Sequence, residues 1–155
     1  MNENKIEVVA YTQADNQAVL EISLEWLRKY DLLEAADYIY LNDPYGEAIG
    51  KGGHVFMARL DGKIVGTAAL VPVDPDTVEI LKYGVKESAQ GCGVGRALLE
   101  QLITTAKKEG WKKIILCSNH QLEAALHLYL EFGFTYTAYQ KLQFELSDVS
   151  MELFL

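Results

Sequence analysis

The chain has 155 residues, of which 50% are hydrophobic and 23% charged, and its formal net charge is −8. These values are typical of one globular domain, and they exclude a disordered chain, a collagen-like chain and a disulfide-stapled miniprotein. No apolar run is long enough to span a bilayer, no apolar leader follows Met1, and the two cysteines lack metal-ligand spacing. We therefore expect a single cytoplasmic domain over residues 1–155, with no metal and no nucleic-acid or membrane partner.

The first third of the chain predicts a strand, two helices and a connection. Residues 5–12 are β-prone, and Asp15 is suited to cap the helix that follows. Apolar residues recur there at helical spacing and predict one buried face: Val19, Ile22, Trp26 and Tyr30. A second helical segment covers about 32–41, and the glycines of 42–53 predict an irregular connection.

Three strands follow. Val55–Leu60 and Lys63–Val71 flank Asp61-Gly62, a pair typical of a tight hairpin turn because such turns require positive φ. Thr77–Val85 is the third strand. Because side chains alternate along a regular strand, four of its residues are expected to share one face: Glu79, Leu81, Tyr83 and Val85.

The second half predicts a helix, a strand, a helix and β-rich residues. The segments are Val94–Glu109, Lys112–Cys117, Gln121–Phe132 and the β-rich stretches 134–146 and 149–154. Gly110 and Gly133 are placed to end the two helices. The order β-α-α-β-β-β-α-β-α-β-β predicts an α/β fold, a mixed sheet of about seven strands flanked by about four helices.

The glycine-rich stretch Gln90-Gly91-Cys92-Gly93-Val94-Gly95-Arg96 lies between a strand and a helix. Glycines let backbone N–H groups turn toward one point, and the helix N-terminus adds partial positive charge. The stretch therefore predicts a phosphate or pyrophosphate site. A tight turn without a ligand is the alternative, although it needs fewer glycines.

Two other phosphate loops are excluded. A P-loop requires Lys and Ser or Thr after its last glycine, but Arg96-Ala97 stands here. A dinucleotide loop starting at Gly91 requires glycine at 96 and an acid closing the next strand, where Leu116–Asn119 has none. A nucleotide triphosphatase and an NAD enzyme are therefore disfavoured.

The basic residues are concentrated around this loop. Residues 82–113 hold seven Lys and Arg against three Glu in an otherwise acidic chain. They indicate either solvated helix ends, the favoured reading for Lys107 and Lys108, or a site for a polyanion, with acidic surroundings suited to a cationic co-substrate. Because the glycine loop lies within this segment, we expect the segment to hold a polyanion.

Several motifs resemble the GNAT superfamily of acetyl-CoA-dependent N-acetyltransferases. Gln90–Gly95 fits the pattern Gln/Arg-x-x-Gly-x-Gly/Ala, and Ala125–Phe134 resembles the family's Ala-x-x-Leu-Tyr-x-x-x-Gly-Phe segment. The hairpin around Asp61-Gly62 and the segments 79–85 and 151–153 resemble further family strands. The resemblance covers nearly the whole chain and is weakest over the first 50 residues, where the family varies its acceptor site.

The resemblance implies that an acetyl or short acyl group moves from acetyl-CoA to a primary amine by direct attack, without a covalent enzyme intermediate. It implies that the fourth and fifth strands splay apart around the acetyl group, and that a homodimer is a common assembly. The implied coenzyme-binding residues are Tyr83, Val85, Gln90, Gly91, Cys92, Gly93, Val94, Gly95, Arg96 and Asn119.

Two catalytic residues are implied by the same resemblance. Tyr129 is expected to protonate, or hydrogen-bond to, the departing thiolate, and Glu79 to take the proton of the amine, directly or through water. The alternatives are a core tyrosine and a solvent-facing carboxylate. Cys117 is expected in the core, and a cysteine nucleophile is excluded.

The acceptor side is expected near the first helices. Acidic and tyrosine side chains cluster there: Tyr30, Asp31, Glu34, Asp37, Tyr38, Tyr40, Asp43 and Tyr45. They suit a cationic small-molecule or peptide amine, although an ordinary helix surface also accounts for most of them. A catalytically silent acyl-CoA-binding regulatory module and a ligand-free interaction domain are the rival functions.

Overall fold

A computed structural model of the chain describes residues 5–138 and 144–155. The strands are β1 (Ile6–Ala10), β2 (His54–Leu60), β3 (Lys63–Pro72), β4 (Thr77–Val85), β5 (Lys113–Ser118), β6 (Thr135–Thr137) and β7 (Val149–Phe154). The α-helices are α1 (Asn16–Lys29), α2 (Asp37–Leu41), α3 (Pro44–Glu47), α4 (Val94–Lys108) and α5 (Glu123–Glu131).

The strands form one mixed sheet in the order β1-β2-β3-β4-β5-β7-β6. Among the described strands, only β4 and β5 pair in parallel, and α4 connects them, as expected for a β-helix-β crossover. The predicted α/β fold class is confirmed. No helix within the described residues combines the length and apolar character that crossing a bilayer requires.

Glycines lie at the turn between β2 and β3 and after α4 and α5, at the positions that the sequence predicted. Asp61 and Gly62 have φ of 52° and 83° and form the β2–β3 turn. Gly110 and Gly133, with φ of 86° and 96°, follow α4 and α5. These positions favour glycine because positive φ crowds a Cβ against the backbone.

The core has two layers. On one face of the sheet, α4 and α5 bury an apolar cluster that includes Leu98, Leu102 and Ile114. On the other face, α1 and α2 cover β2–β4 through residues such as Val19 and Met57. Of the face predicted for α1, Val19 and Ile22 are buried, whereas Trp26 and Tyr30 are half-buried.

The connection predicted over 42–53 contains structure. Pro44 begins α3, and the Asp43 carboxylate accepts a hydrogen bond from the Gly46 amide at 2.9 Å. This short helix brings the number of α-helices to five rather than about four. The β-rich stretch predicted over 134–146 lies partly outside the described residues, at 139–143.

A bulge interrupts β4. Thr67 pairs with Gly84 and Ala69 with Leu81, so one residue of β3 lies opposite two residues of β4, Lys82 and Tyr83. Lys82 has φ of 50°. The bulge reverses the alternation of side chains beyond it.

The expectation that four β4 residues share one face is therefore wrong. Leu81 packs in the α1–α2 cluster, whereas Tyr83 and Val85 pack against the α4–α5 cluster. Glu79 lies on the Leu81 side, because the strand is regular between them. Glu79 and Tyr83 consequently face opposite sides of the sheet.

β4 and β5 splay apart. Their pairs run from Thr77–Lys113 to Glu79–Ile115 and stop there, although β4 continues to Val85 and β5 to Ser118. The gap opens at the centre of the sheet, at the carboxyl ends of the two parallel strands. This is the place where parallel strands commonly present a ligand site.

Candidate active site

A cavity of about 460 Å³ lies beside the end of β4. Its walls come from α1, the end of β4, the glycine loop and the beginning of α5. The lining includes Trp26, Tyr30, Tyr83, Gly84, Val85, Gln90, Gly91, Gly93, Val94, Gly95, Arg96, Leu122, Ala125 and Leu128. Most of the predicted coenzyme-binding residues are thus brought together.

The glycine loop presents unpaired amides to this cavity. Gly91 and Gly93 have φ of 81° and 90°, and Gly93 is the N-cap of α4. The backbone N–H groups of residues 91–96 have no hydrogen-bond acceptor among the described residues. Amides at a helix N-terminus bind anions well, and the loop fits a phosphate group.

Side chains of neighbouring segments support the loop. The Gln90 side-chain amide donates to the Val85 carbonyl at 3.2 Å, and the Tyr83 hydroxyl donates to the Gly95 carbonyl at 2.7 Å. A Cβ on Gly95 would lie 2.8 Å from the Tyr83 oxygen, so glycine is needed there. Burial raises the pKa of Tyr83, which remains a hydrogen-bond donor.

A second cavity, of about 80 Å³, lies at the splay between β4 and β5. It shares Trp26, Tyr83, Leu122 and Ala125 with the larger cavity. Its remaining walls come from the α1–α2 connection, β4, β5, α5 and residues 144–147. Glu79, Asn119 and Tyr129 are all part of its lining.

Three carboxylates line the smaller cavity, and two of them accept hydrogen bonds from other protein groups. Glu34 accepts the amides of Glu145 and Leu146 at 2.9 and 3.0 Å. Asp37 accepts the Lys82 ammonium at 2.7 Å and the Glu34 amide at 2.8 Å. Glu79 has no hydrogen-bond or ion-pair partner among the described residues.

Burial raises the pKa of the Glu79 carboxyl, and the nearby Lys82 ammonium offsets part of that rise. A carboxylate with a raised pKa holds a transferred proton better than an exposed one does. Glu79 therefore has the environment of a general base.

Tyr129 is 5% exposed and packs against the rings of Tyr83 and Phe134, with centroids 5.5 and 5.6 Å away. Burial, with a smaller contribution from Tyr83, raises its pKa well above the ordinary value. The hydroxyl stays protonated at neutral pH and can donate a proton or a hydrogen bond.

Asn119 and Cys92, both predicted to bind the coenzyme, lie outside the lining of the larger cavity. The Asn119 side chain donates to the Leu146 carbonyl at 2.8 Å and accepts the Gln121 amide at 2.9 Å, so its polar atoms already have protein partners. Cys92 lies in the glycine loop but lines neither cavity.

Cys117 was expected in the core, yet it is half-buried and lines the smaller cavity. Burial raises the pKa of its thiol, which favours the neutral form over a nucleophilic thiolate. No cluster of metal-ligating side chains occurs in the described part of the chain.

Within the basic segment, the structure places the glycine loop and Arg96 at the larger cavity and the other cations elsewhere. Of its seven cations, all of which the structure describes, only Arg96 lines the larger cavity. Lys82 is buried against Asp37, while Lys112 and Lys113 pair with Asp76 and Glu152. Lys107 and Lys108 lie in the last turn of α4, at its opposite end. Arg96 itself pairs with Glu131 at 2.6 Å.

The predicted acceptor cluster divides between the cavities and the core. Glu34 and Asp37 line the smaller cavity and Tyr30 the larger. Tyr40 is buried in the core and Tyr45 is exposed. Sequence reasoning assigned no role in the site to Trp26, Lys82 or Phe144. A lysine within a largely apolar strand was the signal available for Lys82.

Solved structures of similar architecture are acetyltransferases. A GNAT-family acetyltransferase of Staphylococcus aureus aligns with a TM-score of 0.84 at 20% identity, covering 97% of this chain and 99% of that one. The yncA protein of Salmonella typhimurium, solved with its cofactor acetyl-CoA, aligns with a TM-score of 0.77 at 25% identity, covering 99% and 94%. The fold is therefore that of the acetyltransferases.

Sequence relatives agree. The uncharacterized N-acetyltransferase YvbK of Bacillus subtilis is 32% identical over 65% of this chain and 67% of its own length. Human N-acetyltransferase 8B is 25% identical over 72% of this chain, which spans about half of that relative. The model of the acetyltransferase (GNAT) family matches residues 8–134, and the chain belongs to this family of N-acetyltransferases.

Proposed function

We propose that this chain transfers an acetyl or short acyl group from acyl-CoA to a cationic primary amine by direct attack. One observation carries the proposal. Two cavities share walls at the β4–β5 splay. One is lined by backbone amides and the other by Tyr129 and the Glu79 carboxylate, and neither these amides nor this carboxylate has a hydrogen-bond partner among the described residues. A coenzyme and an acceptor can therefore approach one point from two sides.

Acetyl-CoA supplies an acyl group activated as a thioester. The amides of residues 91–96 bind its diphosphate, and the end of β4 near Val85 pairs with its pantetheine arm. Coenzyme A complexes are known for structural neighbours, including the PaiA N-acetyltransferase of Thermoplasma acidophilum, with a TM-score of 0.77. These complexes support the proposed co-substrate.

Glu79 and Tyr129 act on the two protons of the transfer. Glu79 accepts a proton from the amine, whose nitrogen must be neutral to attack the thioester carbonyl. Tyr129 donates a proton or a hydrogen bond to the thiolate that leaves. The carbon–nitrogen bond forms as the carbon–sulfur bond breaks, and no enzyme group carries the acyl group.

Calorimetric titration with acetyl-CoA, followed by a panel of primary amines assayed for thiol release, tests the proposal. We expect binding, and turnover with a subset of small cationic amines, because the smaller cavity carries net negative charge. Absence of both coenzyme binding and thiol release would overturn the proposal.

The rival function is an acyl-CoA-binding regulatory module without catalysis. Tyr129→Phe removes only the hydroxyl, and it should lower turnover by about 10²-fold while leaving coenzyme affinity unchanged. Trp26 lines both cavities, so its fluorescence offers a binding readout that is independent of turnover. Coenzyme binding by the unmodified chain without turnover of any amine would favour the module.

A further inference from the structure

Lys82 is a buried cation to which the proposed reaction gives no role. Its side chain is 4% exposed and pairs at 2.7 Å with Asp37, which is 2% exposed. Its ammonium also lies 4.0 Å from the centre of the Phe144 ring. Burying two charges costs about as much desolvation energy as their attraction returns, so stability alone is a weak reason for this pair.

The position of Lys82 suggests another reason. Lys82 occupies the β4 bulge with φ of 50°. Its ion pair with Asp37, the first residue of α2, connects the bulge to that helix. The bulge turns Tyr83 toward the glycine loop while Glu79 faces the smaller cavity. A fixed bulge therefore keeps the coenzyme-side and acceptor-side groups on opposite faces.

We propose that Lys82 is a positioning residue for Glu79: paired with Asp37, it holds the β4 bulge and places a positive charge on the cavity wall that Glu79 faces. The proposal rests on the proposed function, in which Glu79 accepts the proton of the amine.

The charges around Glu79 make this cation important. The titratable groups lining its cavity are Glu34, Asp37, Lys82, Tyr83, Cys117 and Tyr129. Lys82 is the only cation among the described residues of that lining. Burial favours the protonated form of Glu79, and the Lys82 ammonium opposes it.

Removing both charges of the Lys82–Asp37 pair distinguishes an effect on Glu79 from a loss of folding stability. Lys82→Met alone leaves Asp37 buried without a partner, whereas Lys82→Met with Asp37→Asn leaves no unpaired charge. The Glu79 titration is followed by NMR of ¹³C-labelled glutamate carboxyls, with the signal assigned through Glu79→Gln. The pH profile of kcat/KM is measured with the best amine of the panel.

We expect the double variant to fold as stably as the parent chain while the Glu79 midpoint rises, because Lys82 is the charged group that lowers the pKa of Glu79 in the parent chain. Turnover at pH 7 should fall about twofold if the Glu79 midpoint reaches 7 and about 10-fold if it reaches 8, and the acid limb of the pH profile should move upward with the midpoint. Lys82→Arg, which keeps the positive charge, should restore the parent midpoint.

A double variant with the parent's Glu79 midpoint and pH profile would overturn the positioning role. So would an acetyl group found on Lys82 by mass spectrometry after incubation with acetyl-CoA, because an acetylated lysine carries no charge. The NMR titration needs no turnover. Failure of the proposed function would appear as an unmodified chain without coenzyme binding or thiol release, and the titration would still decide the role of Lys82.

Discussion

The two cavities are lined by different chemistry. The larger one presents backbone amides and apolar side chains, and its glycine loop is one contiguous stretch of chain. The smaller one presents three carboxylates and a buried lysine contributed by the α1–α2 connection, α2 and β4. Changes to the backbone of the loop should therefore act on coenzyme affinity, and changes to side chains of the smaller cavity should act on turnover.

The largest expected effect is that of Glu79→Gln. Loss of the proton acceptor should lower kcat/KM by about 10²–10⁴-fold at neutral pH while coenzyme affinity stays the same. The melting temperature should rise, because a raised pKa in the folded chain means that the ionised carboxylate disfavours folding at neutral pH. A parallel loss of affinity in calorimetry would contradict the division between the cavities.

The pH dependence of the unmodified chain follows from the same carboxylate. Glu79 must be ionised to accept a proton, so kcat/KM should fall as pH drops through its raised pKa, above the ordinary value of about 4.3. This acid limb should disappear in Glu79→Gln. An acid limb that survives the substitution would assign it to another group.

Gly91→Ala tests the loop and has a matched control. Gly91 and Gly110 have φ of 81° and 86°, and a Cβ at either would meet nothing within 4 Å. Both alanine variants should therefore lose about 1–2 kcal/mol of unfolding free energy. Only Gly91→Ala should weaken coenzyme binding, by about 10-fold, because only its backbone turns amides toward the larger cavity. Equal affinities in the two variants would count against the loop as the anion site.

Tyr83→Phe should act more mildly. It removes the hydroxyl that donates to the Gly95 carbonyl and leaves that carbonyl without the partner, at a cost of about 1 kcal/mol. Coenzyme affinity should fall by about fivefold, because the α4 N-terminus is held less firmly. Calorimetry on this variant beside Tyr129→Phe distinguishes support of the loop from catalysis.

The smallest expected effect is that of Glu131→Gln. Its carboxylate pairs with Arg96 at 2.6 Å on the exposed rim of the larger cavity. Releasing the guanidinium should strengthen coenzyme binding by about twofold at low salt, and the gain should vanish at high salt. Affinities measured at two ionic strengths would show whether Arg96 reaches the coenzyme.

Local sequence signals predicted most of the fold. The hairpin turn, the limits of β4 and the glycines after α4 and α5 depend on residues close together in the chain, and all are confirmed. The bulge at Lys82 was not predicted, because the Asp37 that pairs with it lies 45 positions earlier in the sequence. Strict alternation therefore placed Tyr83 on the wrong face.

The site shows the same division. The glycine loop was predicted because its chemistry resides in consecutive amides. The hydrogen bonds of Glu34 with the amides of Glu145 and Leu146 join segments more than 100 residues apart, and no sequence motif predicts them. The basic segment shows the converse, because cations close in sequence, such as Lys82, Arg96 and Lys113, pair with carboxylates in different parts of the fold.

The pairing between β4 and β5 stops at Glu79 and Ile115, so the remaining residues of both strands are unpaired with each other in the middle of the sheet. Its two leaves, β1–β4 and β5–β7, are bridged by main-chain pairing at only three positions. Amides just past that junction should exchange with deuterated solvent faster than those of an ordinary central strand. A bound molecule that pairs with the unpaired part of β4 or β5 acts as an additional strand. Amide exchange should then slow in β1–β4 and in β5–β7 together.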